Sequence, residues 1–182
     1  MNIIRLVAIG TAVLIVVGCD GRDVLGPAAP ASSILGHSSA NPAIAAGQVE
    51  TSGLFDAIVD FSTLKLTPRG SNCLLQVDGR LVFTGTIEGV ATGQTTALVF
   101  ATCEEVASTP PGTDPDVFKS ELVFVGTVDG QPAQANVLYQ GRVQPGGHIS
   151  GRLIFSNGVS GELSAEAQVA VGGSYDGSVV VH

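Results

Sequence analysis

The residues able to do chemistry in this chain are few and widely spaced: Cys19, Cys73 and Cys103, His37, His148 and His182, and a thin scatter of carboxylates. Cys73 and Cys103 would close a loop of about thirty residues, and a bond between them would contribute roughly 3–4 kcal/mol in the chain-entropy account. Free buried thiols or a metal pair are the alternatives, but two Cys with no His nearby make a poor zinc site. The histidines do not cluster. His37 precedes any strand pattern, His182 is the last residue, and His148 follows a Pro-Gly-Gly turn as a solvated strand-start residue. There is no His-x-His, His-x-x-x-His, Cys-x-x-Cys or Gly-x-Ser-x-Gly, so the sequence implies neither a transition-metal site, nor a cofactor, nor a serine nucleophile with its base. Glu104 and Glu105 sit at an expected strand end, and Asp114 and Asp116 in a loop. Loop acids of this kind can hold Ca²⁺ loosely, but their ordinary state is solvated. Asp56 and Asp60 would form a carboxylate pair on one face of a helix. Arg142 and Arg152 would lie near each other across a Gly-rich turn, as rim residues or a small anion site.

Composition narrows the class further. Only 13% of residues are charged, the formal net charge is −8, Gly numbers 24 and Trp is absent. A chain so poor in charge and rich in Gly suits β-structure with many turns better than a helical bundle. No Lys/Arg cluster exists to neutralise phosphates, so nucleic acid is not an expected partner. At the amino terminus a single Arg5 precedes an apolar run over residues 6–17, too short to span a bilayer and of the size of a signal-peptide core. The residues that follow, Val16-Val17-Gly18-Cys19, resemble the bacterial lipobox. That resemblance implies diacylglycerol on the Cys19 thiol, cleavage before Cys19, acylation of the new amine, and a domain held at a membrane of the bacterial cell envelope on its periplasmic or extracellular side. Two or more acyl chains hold a protein firmly where one does not. Residues 19–47, rich in Ala, Ser, Pro and Gly, then read as a flexible tether behind a signal peptide at 1–18. In an exported chain the remaining pair, Cys73 and Cys103, is expected to be a disulfide.

From residue 48 to 182 the pattern is all-β. Apolar residues alternate over 73–87, 90–105, 117–128, 133–144, 148–156, 159–169 and 174–181, while 54–66 is mixed, its first half compatible with a helical turn. Pro145-Gly146-Gly147, Asn157-Gly158 and Gly172-Gly173 supply turn chemistry, and 107–116 is the one long loop. Two stretches echo each other: Leu81-Val82-Phe83-Thr84-Gly85-Thr86-Ile87-Glu88-Gly89 and Leu122-Val123-Phe124-Val125-Gly126-Thr127-Val128-Asp129-Gly130. Each reads as the first arm of a hairpin turning at Glu88-Gly89 or Asp129-Gly130. A two-residue turn at Glu88-Gly89 would set Cys103 opposite Leu74, one step from Cys73, with a bulge at Asp78-Gly79 to align the sulfurs. Gly85 and Gly126 would mark tight curvature, close approach or a bulge. The expected architecture is an antiparallel meander closing into a small barrel of about eight strands, which removes exposed sheet edges.

Residues 118–169 resemble an uncharacterised bacterial family built on the allene-oxide-cyclase-like barrel. The matching motifs are Gly126-Thr127-Val128-Asp129-Gly130, Tyr139-Gln140-Gly141, Gly146-Gly147 and Gly161-Glu162-Leu163. They are turn and curvature motifs, so the resemblance implies a fold and carries over no catalytic residue. Three functions follow as expectations. The first is a non-enzymatic, membrane-anchored envelope lipoprotein whose barrel binds a small apolar ligand or a protein partner. The second is a structural module that forms homo-oligomers. The third, by likeness to the barrel's named member, is a cyclase or isomerase acting on a lipid-derived substrate.

Overall fold

The computed structural model describes residues 47–182. Cys19, the apolar run before it, His37 and nearly all of the expected tether lie outside the described residues. The described chain forms eight antiparallel strands in sequential order, closed by pairing of the last with the first. They are β1 (Gln48–Arg69), β2 (Asn72–Gly85), β3 (Ile87–Val99), β4 (Asp116–Val128), β5 (Gln131–Val143), β6 (His148–Ser156), β7 (Val159–Gln168) and β8 (Gly172–Val181). One helical turn, α1 (Cys103–Ser108), interrupts the meander between β3 and β4. The sheet, both core clusters and the disulfide all lie within residues 48–182.

Alternation decides which side chains fill the barrel. Along β4, Leu122, Phe124 and Val128 are buried while Glu121, Val123 and Val125 are exposed. The outer wall carries Asp56, Glu88, Glu121, Arg152 and Glu162, all exposed, against an apolar inside. The same wall also exposes Leu54, Val90, Val123 and Val125. No helix among the described residues is long and apolar enough to cross a membrane.

The echoed segments part company at their turns. Asp129 and Gly130 adopt φ of 49° and 73° and join β4 to β5 with Val128 opposite Gln131, as a two-residue hairpin requires. The upstream copy instead reverses at Gly85-Thr86, three residues before the expected Glu88-Gly89, and Phe83 faces Gly89. Gly85 takes φ 114° there, and the Tyr175 hydroxyl accepts the Ile87 N–H at 2.9 Å, which fixes the bend where it is. Glu88 and Gly89 belong to β3, where Gly89 lies opposite Gly126. A side chain on Gly126 would meet the Gly89 backbone and the Phe124 ring, each at 2.8 Å. Gly126 therefore marks close approach, and Gly85 a turn.

Other departures have similar local causes. Residues 54–66 are strand throughout, within the 22-residue β1. Its pairing with β2 shifts between Asp60 and Lys65, so the irregularity sits in β1, not at Asp78-Gly79. Ser62 N donates to the Asp60 carboxylate at 3.0 Å, and Thr63 Oγ1 donates to the Asp60 carbonyl and accepts from Asp78 N, which shapes the bulge. Gly172 and Gly173 lie in β8, wedged against the backbones of Phe55 and Glu166, and the turn before them is 169–171 with Ala170 at φ 56°. β3 ends at Val99, and Cys103 starts α1 where a strand was expected to continue to Glu105. There Thr102 Oγ1 accepts from Glu105 N and Glu105 accepts from Thr102 N at 2.8 Å, a reciprocal cap. These hydrogen bonds hold the Glu105 carboxyl below its usual range.

Candidate functional site

The two ends of the barrel differ. At one end lie Gln48, the Gly85-Thr86, Asp129-Gly130 and Asn157-Gly158 turns and the C-terminus, where His182 N donates to the Gly158 carbonyl. The interior here is packed with rings: Phe83, Phe124 and Phe155 lie about 6 Å apart in edge-on pairs, and Tyr175 sits 5.6 Å from Phe83. At the opposite end lie the Gly70-Ser71 turn, α1 with the loop that follows it, the 144–147 turn and the 169–171 turn.

This second end encloses a cavity of about 180 Å³. An engineered cavity of about 150 Å³ in another protein holds benzene. Its walls are mostly inward-facing apolar residues, among them Val77, Ala97, Leu81, Leu122, Val143 and Ile149. A cap of Val106, Pro110, Pro111, Gly112 and Thr113 covers part of the mouth. Two ties hold that cap. The disulfide between Cys73 and Cys103 joins the start of β2 to the start of α1. Farther on, Gly146 N donates to the Gly112 carbonyl at 3.0 Å. The disulfide was expected from two paired strands; it forms instead between a strand and a helix, because Cys73 faces Val99 in the sheet and Cys103 lies beyond the strand's end.

Ser120, Thr95, Asp116 and Tyr139 are among the polar side chains that line this space. Ser120 and Thr95 satisfy each other at 2.7 Å. Asp116 and Tyr139 do not share that arrangement: Asp116 Oδ1 and the Tyr139 hydroxyl are buried and have no hydrogen-bond partner in the protein. Burial with no compensating charge pushes the Asp116 carboxyl up to about 7. Burial, and secondarily the Glu166 charge, raises the Tyr139 hydroxyl. Tyr139 lies edge-on to Phe118 at 4.9 Å and to Phe55 at 5.8 Å. Its ring occupies room left by Gly151, where a side chain would meet Tyr139 Cε2 at 2.9 Å. At the rim Ile58, Phe61 and Val171 are exposed, Val171 to 63%.

The expected site residues fall out as follows. Cys73 and Cys103 are joined. Asp114 and Asp116 both line the cavity, and Asp116 is not the solvated loop acid the sequence suggested. Asp56 and Asp60 lie on the outer face of a strand and are exposed. Arg152 pairs with Glu162 at 3.0 Å and Arg142 is an exposed neighbour on the same face, so the rim reading holds over an anion site. His148 starts β6, exposed, with Glu166 at 3.0 Å. No group of three metal-ligating side chains occurs among the described residues. A second depression of about 480 Å³, lined by Pro132, Gln134, Asn136, Asn157 and His182, is larger but is a polar surface feature at the other end and encloses no unpartnered polar atom.

No protein-family model matches the sequence, and no curated protein matches it. The chain is similar in structure to a protein of unknown function of the DUF3224 family from Shewanella oneidensis MR-1, with a TM-score of 0.53 and 14% identity, over 74% of this chain and 98% of that one. At that identity the likeness speaks for the fold alone: an eight-stranded barrel of a kind found in a bacterial protein of unknown function.

Proposed function

We propose that this protein is a lipid-anchored envelope protein whose barrel holds a small apolar ligand at its open end. The observation that carries the reading is the apolar cavity with its tied cap, set at the end of the barrel opposite Gln48. A cavity of this size and apolar lining has room for a benzene-sized molecule, which supports the binding reading. The anchor rests on the lipobox-like run ending at Cys19.

Two measurements test this. Labelling of the expressed protein with a fatty-acid analogue should mark the wild type and not Cys19→Ser; equal label in both removes the anchor. Native mass spectrometry of the protein released from cells should show a small adduct that leaves on mild activation; a bare mass across growth conditions counts against a resident ligand. One observation favours a cyclase- or isomerase-like reading as the alternative. Asp116, with its carboxyl titrating near neutrality in an apolar cavity, has the properties of a general acid or base. The oligomeric alternative has the exposed Leu54, Val90, Val123 and Val125 on the outer wall in its favour, and light scattering decides it.

A further inference from the structure

We propose that the cavity takes a small apolar amine, with its cationic nitrogen at Asp116 and its hydrocarbon body among Val77, Leu81 and Leu122. This deepens the ligand-binding reading above and rests on it. The argument starts from hydrogen-bond accounting. Polar atoms buried in an apolar site cost free energy when they lack partners, so an unpartnered one marks where a ligand's polar group gains most. Asp116 Oδ1 is such an atom and lines the cavity from the start of β4; the Tyr139 hydroxyl is a second, four positions farther along in register on β5. An ionised carboxylate only accepts hydrogen bonds, and a phenol can accept as well as donate. A group that donates several is therefore the natural complement.

Charge then separates the donors. Of the charged residues around the cavity, Asp78 and Arg80 are both exposed on the outer face of β2, which leaves Asp114 and Asp116 as the charges at its mouth and interior. A cation is attracted by this balance, and at Asp116 it makes a charge-assisted hydrogen bond in a desolvated setting, about twice as strong as a neutral one. A carboxylate ligand would place a second negative charge beside Asp116 in the same low-dielectric space. Fatty acids and their oxidised relatives are thus disfavoured, which separates this site from one for acidic lipids. Size sets the rest: about 180 Å³ suits a single ring or a short branched chain.

The test is a matched panel on the full-length protein, titrated calorimetrically with benzylamine, benzyl alcohol and benzoate. Benzylamine should bind at least about tenfold more tightly than benzyl alcohol, and benzoate more weakly than either. In Asp116→Asn the amine should fall to the level of the alcohol while the alcohol stays within about twofold of its wild-type affinity. Asp114→Asn, at the mouth, should leave the amine preference in place. Equal binding of amine and alcohol, a preference for benzoate, or an amine preference that survives Asp116→Asn overturns the ligand class while leaving the cavity reading intact. If no member of the panel binds, both readings fall. The wild-type ranking needs no variant, so a misfolded substitution does not remove the test.

Discussion

At one end of the barrel a tyrosine hydroxyl has every partner it can use; at the other, an equivalent hydroxyl has none. Tyr175 Oη accepts from Ile87 N at 2.9 Å and shares its proton between the Thr84 and Ile87 carbonyls, both at 3.2 Å. Tyr139 Oη is buried among apolar walls with no protein partner. Around Tyr175 three phenylalanines fill the interior; around Tyr139 there is open volume under a cap. The same eight strands make both ends. The difference teaches that closure of the sheet supplies the framework at each end, while side-chain volume decides whether the end is core or site.

The largest expected effect comes from breaking the packed end. Phe83→Ala removes a ring that touches Phe55, Phe124, Phe155 and Tyr175 and should cost about 3–5 kcal/mol in urea unfolding. Leu122→Ala, on a wall that already borders the cavity, should cost about 2 kcal/mol, near the bottom of the range for such truncations. Equal losses at both ends would erase the distinction. Next is the tie on the cap. Replacing Cys73 and Cys103 by Ala opens a loop with a sequence separation of 30 and should cost roughly 3 kcal/mol, with protease cutting appearing first between α1 and β4.

How much of this was legible in the residues follows the same division. Alternation located the strands, and Asp129-Gly130 identified its turn, because these are local signals. The Glu88-Gly89 turn failed because a distant group, the Tyr175 hydroxyl, helps to set the bend at Gly85-Thr86. α1 was missed although Thr102 and Glu105 stand at capping-box spacing; the apolar run before them concealed it. The cavity could not be read at all. It depends on which inward positions from eight strands meet at one level, and the Asp116 Oδ1 atom is covered only once β4 is in the sheet beside the 110–113 loop.

Acid–base behaviour sharpens the comparison at a smaller scale. The Asp116 carboxyl is raised from 3.8 to about 7, so the folded state holds its proton more tightly than the unfolded state. Its unfavourable contribution is absent below about pH 4, grows as pH rises towards 7, and is constant above. Allowing for the part of the residue that stays in solvent, wild type should lose on the order of 2 kcal/mol between pH 5 and pH 8 relative to Asp116→Asn. Identical pH profiles would place the carboxyl in water. Smallest is the tyrosine pair. Tyr175→Phe should cost about 1–2 kcal/mol by leaving the buried Ile87 N–H unpaired, whereas Tyr139→Phe should be neutral or slightly stabilising.

The most direct measurement of the central claim is a methyl NMR titration of the barrel with benzylamine. Leu81, Leu122 and Val77, on the cavity wall, should shift and saturate together, while Ile87, Val128 and Val159, packed at the other end, should stay in place. Shifts spread evenly over both ends, or confined to the ring-packed end, would contradict the assignment of the open end as the binding site.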